Sequence, residues 1–195
     1  MDFMKLILTR HGETVENKKG IRQGQLLDGQ LTRLGIEQAK KLALRLKDEK
    51  VDAIYSSDLG RSFETAQMIA KYHPDKKFYV TKYLREIDLG SFAGKIIEKS
   101  PIDWKNVPKD IETWENMIKR SKRILEKAYK KYPYGCVIFV AHGGINKAII
   151  CSILNKPLSY IKKLKKEENT AISIFNIRKD NNHEAELIYC TKHLD

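Results

Sequence analysis

An arginine, a histidine and a glycine follow one another at residues 10–12, directly after a short apolar run. That run, at residues 5–9, is short and bounded, as a buried strand should be. The planar guanidinium of Arg10 suits a phosphate group, and a ring nitrogen of His11 can attack phosphorus. Gly12 lets the backbone approach closely because it has no Cβ. The pattern therefore indicates phosphoryl chemistry at the end of a strand.

The rest of the chain predicts strands that alternate with helices. Residues 13–30 are polar and predict a loop, and residues 87–110 are irregular. Apolar runs predict further strands at 51–56, 78–80, 136–140, 171–177 and 185–190. Helical spacing predicts one helix capped by Thr32, one capped by Ser57 or Asp58 and ending near residue 71, and two more over 112–132 and 145–154.

This order of elements predicts a three-layer α/β/α fold with a mainly parallel sheet and an antiparallel edge strand. We expect a single domain over residues 1–195, with residues 87–134 forming a partial lid or helical segment. Ligands of such sheets bind beyond the carboxyl ends of the strands. Arg61, Glu86 and His142 each follow a predicted strand. Together with the segment at residues 10–12, they place polar groups from four segments at one edge.

Composition and charge indicate whether nucleic acid or a membrane is a partner of the protein. The net charge is +12, which allows a nucleic-acid surface or a lysine-rich solvated exterior. The lysines are spread along the chain without a known nucleic-acid motif, so we expect no nucleic acid as partner. No apolar run reaches the roughly 18 residues of a membrane span, so we expect no membrane. Three cysteines without CxxC spacing and the absence of a signal-like N-terminus predict a cytoplasmic protein.

Further motifs run in order along nearly the whole chain. They are Arg-His-Gly-Glu-Thr at 10–14 with Asn17, Gln-Gly at 23–24, Leu-Thr-x-x-Gly-x-x-Gln-Ala at 31–39, Tyr-Ser-Ser-Asp-Leu-x-Arg at 55–61, Leu-Arg-Glu at 84–86, Glu-Thr at 112–113 with Arg120, Val-Ala-His-Gly-Gly at 140–144, and Asn-Thr at 169–170. This series resembles the histidine phosphatase superfamily, which has the phosphoglycerate mutase-like fold.

The resemblance implies a role for each matching residue. His11 would be the nucleophile that takes the phosphoryl group, and Glu86 would protonate the leaving oxygen and later activate water. The phosphate would be bound by Arg10, Asn17, Gln23, Arg61, His142 and Gly143. The resemblance implies neither a metal nor another cofactor.

The short segment between Glu86 and Glu112 bears on the reaction. Mutases that resemble this fold carry longer insertions that seal the site, whereas a more open pocket admits water. We therefore expect a metal-independent phosphatase whose partner is a small phosphorylated metabolite. The alternatives are a cofactor-dependent phosphoglycerate mutase and a non-catalytic phosphate-recognition module. The sequence does not name the substrate, and an apolar edge strand near residues 185–190 would support a homodimer.

Overall fold

The computed structural model describes residues 2–100, 102–103 and 106–195. Residues 101, 104 and 105, which belong to the predicted lid segment, lie outside the described residues. The strands are β1 (Met4–Arg10), β2 (Ala53–Ser57), β3 (Lys77–Thr81), β4 (Cys136–Ala141), β5 (Ile172–Ile177) and β6 (Glu184–Cys190). The α-helices are α1 (Val15–Lys18), α2 (Arg33–Leu46), α3 (Gly60–Ala70), α4 (Trp114–Lys131) and α5 (Gly143–Ile153). Short 3₁₀ helices occupy Lys82–Leu84, Gly90–Phe92, Leu158–Lys163 and Lys192–Leu194.

The six strands form one sheet in the order β3-β2-β4-β1-β5-β6. Strands β3, β2, β4 and β1 run parallel to one another, whereas β5 pairs antiparallel with β1 and β6 pairs antiparallel with β5. The predicted mainly parallel sheet with antiparallel pairing at one edge is confirmed. The β5–β6 register is irregular, and Tyr189 in β6 has a φ of 56°. Such irregularity blunts an exposed edge strand, and the homodimer stays a prediction.

Helices cover both faces of the sheet and give three layers. Side chains of successive strand residues point to opposite faces, so Leu6 and Leu8 of β1 face one side and Ile7 faces the other. The Ile7 side packs against α2 and α3, for example against Leu42. The Leu6 side packs against α4 and α5, where Ile149 is fully buried. No α-helix in the described ranges is both long and apolar enough to span a bilayer.

The start of α2 agrees with the sequence-based prediction, whereas the start of α3 differs from it. Thr32 caps α2 as predicted, because its Oγ1 accepts a hydrogen bond from the Gly35 N–H at 3.0 Å. The predicted cap of the next helix at Ser57 or Asp58 is wrong, because α3 begins after Leu59. The Asp58 carboxylate instead forms a bidentate ion pair with Arg85, at 2.7 and 2.6 Å. That pairing takes the side chain away from the helix start.

Candidate active site

His11 directly follows β1 and is only 2% exposed. Its Nδ1 lies 2.7 Å from the carbonyl oxygen of Gly12. Because a carbonyl can only accept a hydrogen bond, Nδ1 must carry the proton, and the neutral ring keeps its lone pair on Nε2. A Cβ on Gly12 would lie 2.5 Å from the Gly35 carbonyl oxygen, so glycine is required where the loop crosses α2. The loop therefore holds His11 in the tautomer that a nucleophile needs.

His142 follows β4 and is the N-cap residue of α5, fully buried. Its ring centroid lies 5.1 Å from that of His11. Within the described part of the chain, neither ring nitrogen of His142 has a hydrogen-bond partner, and the same holds for Arg10 Nε and Arg61 Nε. Buried polar groups are nearly always hydrogen-bonded in native proteins. A cluster of buried nitrogen donors beside His11 is therefore suited to an oxyanion.

Backbone carbonyls hold both guanidinium groups in place. Arg61, which is 1% exposed, donates from Nη1 to the Leu27 carbonyl and from Nη2 to the Gly24 carbonyl, both at 2.8 Å. Arg10 donates from Nη1 to the main-chain oxygen of Glu167 at 2.6 Å. These carbonyl partners are uncharged, and Arg61 Nη1 also lies 3.8 Å from the Asp28 carboxylate. The Nε atom of each arginine has no partner among the described residues, so each guanidinium can still donate to a ligand.

Burial and the two arginines set the charge of the histidines. Burial is the main cause that lowers the pKa of His11 well below its ordinary value, and the charges of Arg61 and Arg10 lower it further. Burial and the Arg61 charge also lower the pKa of His142. Both imidazoles are consequently neutral at neutral pH. A neutral His11 can use its Nε2 lone pair as a nucleophile.

The Glu86 carboxylate lies at the N-terminus of α5. It accepts backbone hydrogen bonds from Gly144 at 3.0 Å, from Ile145 at 3.2 Å, and from its neighbour Ile87 at 2.8 Å. A Cβ on Gly144 would overlap Glu86 Oε1, so the glycine makes room for the carboxylate. Because α5 starts directly after His142, these bonds fix Glu86 close to the two imidazoles.

Arg120 on α4 fixes the backbone that leads to Glu86. It donates to the carbonyl oxygens of Tyr83, Arg85 and Glu86 at 3.0, 2.5 and 3.0 Å. It also forms a bidentate ion pair with Glu112, at 2.7 and 2.9 Å. Sequence analysis identified Arg120 only as part of a motif and predicted no role for it. The contacts identify it as a positioning residue for Glu86.

The remaining predicted phosphate ligands lie around this centre. Asn17 Oδ1 accepts from the Asn169 amide at 3.1 Å, and the same amide nitrogen donates to the His11 main-chain oxygen at 3.0 Å. Gly143 lies beside Arg10, whose Nε is 3.8 Å from where a Cβ would stand. Gln23 is buried, and its Oε1 has no partner among the described residues. Asn17 and Gly143 thus border the His11 site, while Gln23 lies one residue before the Arg61-bound Gly24.

Glu167 is a buried carboxyl group that sequence reasoning missed. It is 1% exposed, and the Asn146 amide donates to both of its oxygens at 3.1 and 3.0 Å. Burial raises the pKa of Glu167 to about 8, although the charge of Arg10 opposes the shift. At neutral pH its carboxyl group is therefore mostly protonated. A neutral Glu167 does not compensate the charge of Arg10.

Comparison with known proteins gives concordant matches. The sequence model of the histidine phosphatase superfamily (branch 1) matches residues 6–188. A metal-independent phosphoserine phosphatase of Arabidopsis thaliana is 36% identical over 166 residues, which cover 78% of this chain and 69% of that protein. Phosphoserine phosphatase 1 of Hydrogenobacter thermophilus is 37% identical over 171 residues, which cover 80% and 79%.

A solved structure shares the fold over almost the full length. It is a phosphoserine phosphatase from Entamoeba histolytica in complex with 3-phosphoglyceric acid, with a TM-score of 0.86 and 31% identity. The match covers 98% of this chain and 99% of that chain. The fold is therefore common to this chain and to a protein named as a phosphatase.

Proposed function

The chain belongs to the histidine phosphatase superfamily, and we propose that it hydrolyses small phosphomonoesters without a metal, through a phosphohistidine formed on His11. The observation that carries the proposal is the His11 Nδ1–Gly12 hydrogen bond, which leaves Nε2 free to attack beside unpaired buried donors. Relatives named as phosphatases support hydrolysis as the reaction, and one of them is named metal-independent.

In the first step, His11 Nε2 attacks phosphorus, so that a P–N bond forms while the P–O bond to the leaving group breaks. Glu86 transfers a proton to the leaving oxygen. In the second step, water attacks the phosphohistidine and Glu86 takes the proton of that water. The water oxygen forms a new P–O bond while the P–N bond breaks, so that the P–N electron pair returns to His11 Nε2 and inorganic phosphate is released.

Arg10, Arg61 and one ring N–H of His142 stabilise the phosphoryl group during both steps. A phosphoryl group in transfer spreads negative charge over three oxygens, so fixed cations and donors supply most of the catalysis. Each charge-assisted hydrogen bond contributes about 1.5–3 kcal/mol. Two arginines with fixed geometry can therefore carry out the charge stabilisation that a metal ion supplies in other phosphatases.

Among small phosphomonoesters, we propose O-phosphoserine as the first candidate substrate. The names of the two relatives and of the Entamoeba histolytica structure support this choice. A cytoplasmic location and a single domain over residues 1–195, with residues 87–134 as a partial lid, remain predictions that accompany the proposal.

Hydrolysis of p-nitrophenyl phosphate in the presence of EDTA tests the reaction. We expect turnover by the wild type and none by His11→Ala, with His183→Ala as a matched control outside the site. Rapid interconversion of 3- and 2-phosphoglycerate with negligible hydrolysis would instead assign a mutase. Tight phosphate binding without any turnover would assign a recognition module.

A further inference from the structure

A cavity of about 710 Å³ opens beside Glu86, Gly143 and Gly144. Its apolar wall is formed by Ile87, Leu89, Val107, Trp114, Leu158 and Ile161. Gly143 and Glu86 border both this cavity and the histidine centre. If phosphorus reacts at His11, the organic part of the ester must extend into this cavity.

The cavity is lined by both acidic and basic side chains. Its acidic groups include Glu86, Glu112 and the exposed Glu115, and the first two are already occupied. Glu86 accepts backbone N–H groups at the start of α5, and Glu112 pairs with Arg120. Lys147 also lines the cavity, yet within the described ranges no carboxylate lies within ion-pair distance of its Nζ. The cation inside the cavity is therefore available to a ligand.

Lys147 is held in a definite position. It follows Gly143 by four residues in α5, so the two residues lie on the same face of the helix, one turn apart. Its Nζ donates to the Leu164 carbonyl oxygen at 3.0 Å, which ties the Leu158–Lys163 segment to α5. An ammonium group has three donors, so two N–H groups remain. Arg22 and Lys162 add positive charge to the lining.

We propose that Lys147 binds a second anionic group on the substrate, so that the enzyme selects phosphomonoesters whose leaving group carries an oxyanion. This inference rests on the proposed function, because it assumes that the phosphate reacts at His11. The oxyanion is a carboxylate or a second phosphate, which share the chemistry that an ammonium group recognises. The apolar wall then packs against the carbon skeleton between the two anionic groups.

Substrate pairs that differ only in the second anionic group test the proposal. O-phosphoserine against O-phosphoethanolamine isolates the carboxylate, and 1,3-propanediol bisphosphate against its monophosphate isolates the second phosphate. The readout is the ratio of kcat/KM within each pair. Lys147→Met is compared with Lys147→Arg, which keeps the charge, and with Lys163→Met, which replaces the exposed lysine at the end of the Leu158–Lys163 segment.

We expect the wild-type ratio to favour the anionic member of at least one pair by about tenfold, and Lys147→Met to remove that preference through KM. Lys147→Arg and Lys163→Met should keep the ratio. An equal loss for both members of each pair in Lys147→Met would overturn the subsite. Wild-type hydrolysis of all four esters at similar rates would also overturn it while leaving the phosphatase intact. A wild type that hydrolyses none of them would overturn the proposed function as well.

Discussion

Glu167→Gln should change how stability depends on pH. Glu167 is buried beside Asn146, and burial raises its pKa to about 8 in the folded protein. In the unfolded chain its pKa is about 4.3, so the folded state binds more protons between these values. The stabilisation from this bound proton is fully present below the pKa of Glu167 in the unfolded chain. It is lost as the pH rises through the pKa of Glu167 in the folded protein. Glutamine does not titrate, so residue 167 of the variant contributes no pH dependence to the free energy of unfolding.

The size of the effect follows from the two pKa values. With a folded pKa of about 8, the carboxyl group is about nine-tenths protonated at pH 7 and half protonated at pH 8. Integrating the proton difference gives a loss of about 1 kcal/mol in the free energy of unfolding between pH 7 and 8. Because the group is 1% exposed, solvent screening does not reduce this figure. Ionisation would also place a negative charge near Arg10, so phosphate binding should weaken over the same range.

Urea denaturation between pH 7 and 8 measures the effect. The wild type should lose about 1 kcal/mol more than Glu167→Gln across this range, because other titrating groups are common to both proteins. The exposed neighbour Glu168 provides the matched control, and Glu168→Gln should behave as the wild type does. The inhibition constant of inorganic phosphate over the same pH range measures the expected weakening of phosphate binding at Arg10. Equal pH dependence in Glu167→Gln and the wild type would refute the reasoning about this buried carboxyl.

Three further variants test the site. Glu86→Gln should slow hydrolysis of esters with poor leaving groups by about 100-fold or more, with a smaller loss for p-nitrophenyl phosphate; a uniform loss would argue against proton donation. Gly144→Ala should give the same leaving-group pattern with near-normal denaturation, because its Cβ displaces Glu86; unchanged kinetics would contradict the contact. Gly12→Ala should lower the free energy of unfolding by about 1–3 kcal/mol, because backbone of Gly35 lies 2.5 Å from the new Cβ; unaltered denaturation would contradict that packing.

The parallel part of the fold could be predicted from sequence because its strands carry strong local signals. The apolar runs before His11 and His142 each end at a glycine-containing segment, which marks both the strand and its end. Parallel strands bring their carboxyl ends to one edge, so the meeting of these two residues followed from topology. The Thr32 cap was predictable for the same reason, since its side chain bonds within its own turn.

The contacts that position the site were harder to predict, because they join distant segments. Asp58 pairs with Arg85 across 27 residues, and this tertiary contact overrides its local tendency to cap a helix. Glu167 follows a run of lysines, which is typical of a solvated surface, yet the fold buries it beside Asn146. Periodicity carries no information about such pairings.

Identification of a phosphorylated residue during turnover tests the central claim most directly. The enzyme is mixed with radiolabelled O-phosphoserine or p-nitrophenyl phosphate, the reaction is rapidly quenched, and the labelled peptide is mapped. We expect an acid-labile, base-stable label on His11. His11→Ala should give no label. His142→Ala keeps the nucleophile, so any label that it acquires should again map to His11. Label on another residue, or label retained in His11→Ala, would contradict the assignment of His11 Nε2 as the nucleophile.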